Sequence, residues 1–206
     1  MREWSSKGIR RGKSKLAREA EVDLIVMPTH GYGPFRRFIL GSVTAKVLHD
    51  TDIPVYTGAH VTDKPLDPLP AFRTVAAAVD LSAHSEKVLR WAAGFAAAYQ
   101  AKLALVHAAP SLAVSGQPGQ YGGSEWRGVL IERSRNEARR LMEMARCQAE
   151  IFTDCAGVTE YVPAALAEAG AQLLIIGRSV HQGLIGRLRT NAYALIRESP
   201  IPVVSV

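Results

Sequence analysis

The chain has 206 residues, 48% of them hydrophobic, so it can bury a sizeable core as one large domain or two small ones. No apolar run reaches about 18 residues, and no apolar stretch follows the basic N-terminus, so we expect neither a transmembrane helix nor a secretory signal. Cys147 and Cys155 form no CxxC pattern and have no histidines at ligand spacing. This cysteine usage favours a reducing, cytoplasmic location and predicts no metal site.

The formal net charge of +6 is concentrated at the N-terminus. Residues 1–18 contain seven basic residues and one acidic residue, whereas residues 19–206 contain 18 of each. The globular part therefore lacks the positive excess of nucleic-acid-binding domains, and we expect neither nucleic acid nor a membrane as its partner. We interpret residues 1–18 as a basic, disordered tail, with RNA, DNA or anionic lipid as its alternative partners.

An internal repeat organises the chain. The segment EVDLIVM at 21–27 resembles AGAQLLII at 169–176, and DIPVYTG at 52–58 resembles PIPVVSV at 200–206. Continuous runs of valine, isoleucine and leucine are typical of parallel strands buried on both faces, and the spacing within each pair suits a crossover helix. The sequence therefore predicts two copies of a strand, loop, helix and strand.

The first copy, residues 19–59, is predicted to be a partial domain. Its predicted elements are a candidate helix at 13–20, a strand at 24–27, a helix at 36–50 and a strand at 53–56. Two parallel strands cannot bury both faces alone, so we expect this copy to pack on the second copy or on another chain. A truncated gene start is the alternative origin of its short length.

A linker is predicted at 60–72, because its three prolines, Pro65, Pro68 and Pro70, exclude a helix or a central strand. The second copy, residues 73–206, has a complete pattern. Strands are predicted at 74–79, 102–107, 150–153, 172–176 and 201–206, helices at 82–99, 125–146, 160–169 and 186–198, and a long loop at 109–123. This alternation predicts an α/β fold with a doubly wound, five-stranded parallel sheet, preceded by a partial copy of the same fold.

The stretch MPTHGYGPFRRFILGSVT at 27–44 follows the first predicted strand directly. Its glycines let the backbone approach an anion closely. Gly41, Ser42 and Val43 open or join the next helix, whose free N–H groups and positive dipole end favour phosphate. The stretch therefore predicts a phosphate-binding loop, and the alternative is an ordinary strand–helix connection with turn glycines.

These residues resemble the universal stress protein family. In that family a loop of pattern G-x-x-G-x9-G-[ST] follows the fourth strand and wraps the phosphates and ribose of ATP. Here Gly31 is followed by nine residues and then by Gly41 and Ser42, but Pro28 replaces the first glycine and removes one N–H donor. The resemblance assigns nucleotide binding in this loop to His30, Gly31, Gly33, Gly41, Ser42 and Val43.

The second copy resembles the same family over residues 72–206. VAAAVDLSAHSEKVLRWA, which begins at Val75, is similar to the family's first strand and helix. An aspartate at the end of that strand contacts the adenine in the family, and Asp80 matches it. The alternative role of Asp80 is to cap the following helix.

The phosphate loop of the second copy is degraded. Gly177 fills its first glycine position, but Val180 stands at the second. The position of the Gly-Ser pair is occupied by Arg189-Thr190 or by Thr190-Asn191. Three arginines of this loop, Arg178, Arg187 and Arg189, could offer positive charge to a phosphate in place of the missing glycine backbone. We therefore expect weak or no ATP binding by the second copy alone.

The resemblance implies an adenine-nucleotide alpha hydrolase-like fold and an adenine nucleotide, ATP with Mg²⁺, as ligand. The protein would bind or sense the nucleotide in a stress response and act through conformation or partner binding. Any ATP hydrolysis is expected to be slow, because the sequence offers no obvious general base or metal pair. A composite site, with strand 1 of the second copy beside the loop of the first, is a further alternative.

The alternative function is a dimerisation module of the same fold that binds no nucleotide. The family pairs its fifth strands across a dimer. The apolar strands predicted at 53–56 and 201–206 suit such pairing, either in a homodimer or within one chain.

Overall fold

The computed structural model describes residues 22–29, 40–58, 72–110, 123–178 and 190–206. In chain order these residues form β1 (Ile25–Met27), α1 (Ser42–Asp50), β2 (Val55–Thr57), β3 (Thr74–Ala78), α2 (Ser85–Ala98), β4 (Lys102–Ala109), α3 (Gly123–Ala145), β5 (Glu150–Cys155), α4 (Val158–Glu168), β6 (Leu173–Ile176), α5 (Thr190–Glu198) and β7 (Val203–Ser205). The predicted tail, the candidate helix at 13–20, the linker up to residue 71 and residues 111–122 of the long loop lie outside the described part of the chain.

The helix that follows the candidate phosphate loop of the first copy begins later than the sequence predicts. Helix α1 was expected from residue 36 but begins at Ser42, because Leu40 and Gly41 are not helical. Gly41 is not helical, with φ −57° and ψ 139°, and forms the N-cap. The described part of α5 begins at Thr190, and the start predicted for this helix, at residue 186, lies outside the described residues, as do residues 36–39.

The second copy forms the predicted sheet. Its five strands lie in the order β7-β6-β3-β4-β5, and every adjacent pair is parallel. All four residues of β6 are buried, because helices cover both faces of the sheet. The predicted doubly wound, five-stranded parallel sheet is therefore confirmed.

The first copy adds two strands to this sheet, which then has seven, and the added strands run in the opposite direction to the other five. Strand β2 pairs with β7 in antiparallel orientation, and β1 pairs with β2 in parallel. The strands that the family pairs across a dimer thus pair here within one chain. As a result, the carboxyl ends of β1 and β2 lie at the opposite edge of the sheet from those of the other five strands.

The junction between β2 and β7 has approximate two-fold symmetry, centred on Tyr56 and its partner on β7. In the repeat, Val55 corresponds to Val203 and Thr57 to Ser205, and the register pairs Val55 with Ser205 and Thr57 with Val203. The Thr57 hydroxyl donates to the Val203 carbonyl at 3.2 Å, and the Ser205 hydroxyl donates to the Val55 carbonyl at 3.5 Å. The two hydroxyls therefore form matching bonds across the junction.

The first copy completes its core on the second copy. One apolar cluster packs α1, α4 and α5 against a single face of the sheet, and it includes residues from both copies. Leu48 of α1 and Val55 of β2 are fully buried in this cluster, and Ile196 of α5 and Val203 of β7 are buried beside them. Burial of this apolar surface is the main source of stability that the short first copy has available.

Candidate functional site

The candidate loop of the first copy is closed at its base by two hydrogen bonds. The Gly41 N–H donates to the Thr29 carbonyl at 2.8 Å, and the Thr44 hydroxyl donates to the Pro28 carbonyl at 2.9 Å. Thr29 and Thr44 are only 4% and 3% exposed. The structure therefore fixes both ends of the loop at the carboxyl end of β1. The predicted binding residues His30, Gly31 and Gly33 lie outside the described residues.

The N-terminus of α1 has the features of an anion-binding helix end. Its N-cap, Gly41, makes no side-chain cap hydrogen bond, and the first turn contains no acidic residue. The first helical hydrogen bond that the structure shows runs from the Ala45 N–H to the Gly41 carbonyl at 2.8 Å. Ser42 and Val43 are exposed. Their backbone N–H groups and the Ser42 hydroxyl can therefore donate to an anion at the positive end of the helix dipole.

Asp80 follows β3 and fixes the turn that leads into α2. Its Oδ1 accepts hydrogen bonds from the Ser82 N–H at 3.0 Å and from the Ser85 hydroxyl at 2.9 Å. Leu81, between Asp80 and Ser82, has a φ of 57°, a left-handed conformation that is uncommon for a residue other than glycine. These bonds give Asp80 a role in forming the turn, while α2 has His84 as its N-cap and no side-chain cap hydrogen bond. The role of Asp80 as an adenine contact stays a prediction.

Gly177 lies where α2 packs closely on the end of β6. A Cβ at this position would lie 2.9 Å from Val88 Cγ2 and 3.2 Å from His84 Cδ2. The first of these separations is shorter than any ordinary carbon contact, so a side chain at this position would force Val88 or the backbone around it to shift. Close packing of the helix therefore explains this glycine without a ligand.

The helix ends indicate which residues of the degraded second loop match the Gly-Ser pair of the first. Helices α1 and α5 end at Asp50 and Glu198, and each is closed by an equivalent backbone hydrogen bond, from the Thr51 N–H to the Val47 carbonyl and from the Ser199 N–H to the Leu195 carbonyl. Counting back from these ends makes Thr190 the equivalent of Ser42 and Arg189 the equivalent of Gly41. Val180, Arg187 and Arg189 lie outside the described residues.

The predicted binding residues do not form one site. Asp80 and Gly177 follow β3 and β6, whereas Gly41, Ser42 and Val43 follow β1, whose carboxyl end lies at the opposite edge of the sheet. A composite site is therefore wrong, because it needs β3 beside β1, and β3 pairs with β4 and β6. Within the described residues, no strand on the outer side of β1 provides a counterpart of β3.

Arg178 has a role that the sequence analysis missed. It was considered as a charge for the degraded loop, but it is 5% exposed and its guanidinium points into the first copy. Its Nη1 donates to the carbonyls of Leu48 and Thr51 at 3.3 Å and 2.7 Å, and its Nη2 donates to the Ile53 carbonyl at 2.8 Å. The guanidinium thus caps the carboxyl end of α1. No local pattern in the sequence signals this contact, which joins residues about 130 positions apart.

The resolved pKa shifts lie away from the loop. The pKa of Asp50 is lowered by its hydrogen bonds with His49 and Lys46, and that of Asp154 is lowered mainly by its hydrogen bond with Arg127. Among the described residues, no group of three or more His, Cys, Asp or Glu side chains is arranged to hold a metal ion. None of the helices in the described ranges is both long and apolar enough to cross a membrane.

Comparison with solved structures shows what the fold resembles. A candidate universal stress protein from Pseudomonas aeruginosa UCBPP-PA14 shares 18% identity with a TM-score of 0.67 over 94% of this chain and 66% of its own. A protein of unknown function from Pseudomonas aeruginosa PAO1 shares 17% identity with a TM-score of 0.68 over 98% of this chain and 68% of its own. A universal stress protein from Archaeoglobus fulgidus shares 19% identity with a TM-score of 0.65 over 93% of this chain and 65% of its own. The chain thus spans about two thirds of the length of these structures, and at such identities the likeness concerns the fold.

Comparison with curated proteins gave no match. A model of the universal stress protein family, in contrast, matches this chain in two stretches, residues 6–57 and 71–206. The first stretch overlaps the predicted first copy and also includes residues 6–18, the second stretch contains the predicted second copy, and together they cover far more than half of the sequence. The chain therefore belongs to the universal stress protein family.

Proposed function

We propose that the protein binds and senses an adenine nucleotide, with the phosphates held by the loop between β1 and α1 of the first copy. The observation that carries the proposal is the helix end itself. The glycine-serine spacing of the family precedes an α1 N-terminus with no side-chain cap and no acidic residue in its first turn. Such an end supplies N–H donors and a positive dipole to phosphate oxygens.

The donor set fits a nucleotide phosphate better than it fits a free metal ion. The Ser42 hydroxyl and the backbone N–H groups of Ser42 and Val43 are donors, and they face solvent at the start of α1. ATP would bring Mg²⁺ on its own phosphate oxygens, because the first turn of α1 offers no carboxylate ligand. The protein residues would bind and orient the phosphates without moving a proton, so the proposed role is sensing and not rapid hydrolysis.

A second candidate function is an interaction module that binds no nucleotide. The observation that favours it is the second copy, where packing and turn formation explain Gly177 and Asp80 without a ligand. The pairing of β2 with β7 also occupies the strands through which the family forms dimers. A homodimer would therefore have to use another surface.

Isothermal titration of the full chain with Mg-ATP tests the proposal. Ser42→Ala should weaken binding about tenfold, because a hydrogen bond to a charged group contributes about 1.5 kcal/mol. Thr190→Ala, at the equivalent position of α5, is the matched control and should leave the affinity unchanged. Gly41→Arg combined with Ser42→Ala should abolish binding while the circular dichroism spectrum stays native. No binding of Mg-ATP by the unaltered chain would refute the proposal and leave the interaction module as the remaining candidate.

A further inference from the structure

The two candidate loops are joined physically by α1 and Arg178. Helix α1 begins at the loop of the first copy and ends at the Arg178 guanidinium, which extends from the carboxyl end of β6. The Arg178 N–H also donates to the Val206 carbonyl at 2.9 Å, so its backbone is held beside β7. Nine helical residues span about 13 Å, and this rod connects opposite edges of the sheet.

The contact between Arg178 and the end of α1 is favourable both in charge and in hydrogen-bond geometry. The last carbonyls of a helix carry the negative end of its dipole, and they lack partners within the helix. The buried guanidinium donates to two carbonyls at the end of α1, those of Leu48 and Thr51, and to the Ile53 carbonyl in the segment that leads to β2. A lysine cannot reproduce this pattern, because its ammonium is a compact charge without the planar fork.

The contact is also asymmetric between the copies. Strand β1 pairs with β2 as β6 pairs with β7, and the two registers make Ile25 the equivalent of Leu174. Four residues further along each chain segment, Thr29 is the equivalent of Arg178. A threonine side chain is too short to reach the end of α5, and it lacks the positive charge that the Arg178 contact provides. The arginine therefore caps the helix of the copy that keeps the family's Gly-Ser pair.

We propose that Arg178 is a positioning residue for the phosphate site of the first copy, and that it couples nucleotide binding there to the docking of the two copies. This inference rests on the function proposed above. Arg178 fixes the carboxyl end of α1, and the short helix moves as a rigid body, so its amino-terminal N–H groups are held in place. By thermodynamic reciprocity, a nucleotide at the amino end strengthens the contact at the carboxyl end.

The test compares Arg178→Gln, Arg178→Lys and a matched control, Arg90→Gln. Arg90 is also an arginine that donates to a carbonyl in the last turn of a helix, with its Nη2 3.0 Å from the Met144 oxygen, but it lies on the exposed surface of the second copy. Mg-ATP affinity is measured by calorimetry at 10 °C, where each variant is first shown to be folded by circular dichroism. A purely structural role would lower the melting temperature and leave the affinity of the folded protein unchanged.

The expected result is an ATP dissociation constant about tenfold higher for Arg178→Gln, a smaller rise for Arg178→Lys and none for Arg90→Gln, as a coupling of ordinary size predicts. ATP should also raise the melting temperature of the unaltered chain more than that of Arg178→Gln. Equal affinities of all four folded proteins would overturn the coupling and leave the proposed function intact. Failure of the unaltered chain to bind ATP would overturn the proposed function, and this inference with it.

Discussion

Replacement of Leu48 by alanine tests whether the two copies fold as one cooperative unit. Leu48 has no exposed surface and lies in the apolar cluster that α1 shares with the second copy. Truncation of a fully buried leucine costs about 3 kcal/mol, from lost burial and from the cavity that remains. For a chain of this size each kcal/mol lowers the melting temperature by about 2–4 °C, so we expect a fall of about 6–12 °C.

The assay follows the second copy while the mutation lies in the first. Trp91 is a partly buried residue of α2, and with Trp4 and Trp126 replaced by phenylalanine its fluorescence reports on the second copy alone. In a single cooperative unit, Leu48→Ala shifts the Trp91 transition and the circular dichroism transition equally. Val129→Ala, at an exposed position of α3, is the control and should change neither. A Trp91 transition that keeps its midpoint, beside a separate early loss of helix signal, would refute the shared core.

Three further substitutions test single contacts. Gly177→Ala should destabilise the protein by about 1–3 kcal/mol in urea unfolding, because its Cβ would press on Val88; an unchanged midpoint would contradict the close packing. Thr57→Val removes the hydroxyl that donates across the β2–β7 junction and should cost about 1 kcal/mol, with no loss if the two strands do not pair. The Arg127 hydrogen bond holds the pKa of Asp154 below its ordinary value of 3.8, so the stabilisation is complete above that pH and is lost as the pH falls further. Arg127→Gln should therefore lower stability at pH 7 and flatten its acid dependence, and a parallel pH profile would reject the pairing.

The sequence predicted most of the second copy, because its signals are local. Continuous apolar runs marked the strands of the parallel sheet, and their order in the structure is the doubly wound order expected for this alternation. The helix starts were less accurate. Helix α1 was predicted six residues too early, because helical periodicity continues through Phe38 and Leu40, while the chain becomes helical only after Gly41.

For the candidate site, the sequence identified the loop of the first copy and the asymmetry between the two copies. Glycine spacing and a serine at the start of a helix are features of a short segment, so one sequence suffices to show them. Asp80 was equally compatible with an adenine contact and with a turn, since both place an aspartate at a strand end. The hydrogen bonds to Ser82 and Ser85 show the turn, and the eventual ligand contact remains a prediction.

The sequence alone thus determined the fold class, the family and the repeat, which depend on the order of apolar runs and glycines along the chain. Only the tertiary structure decided the orientation of the first copy, which runs antiparallel to the second through β2 and β7 and separates Asp80 from Ser42. It also decided the role of Arg178, whose guanidinium reaches the end of α1. Both results depend on contacts between residues more than 100 positions apart, and such contacts form only when the copies pack and bury a common core.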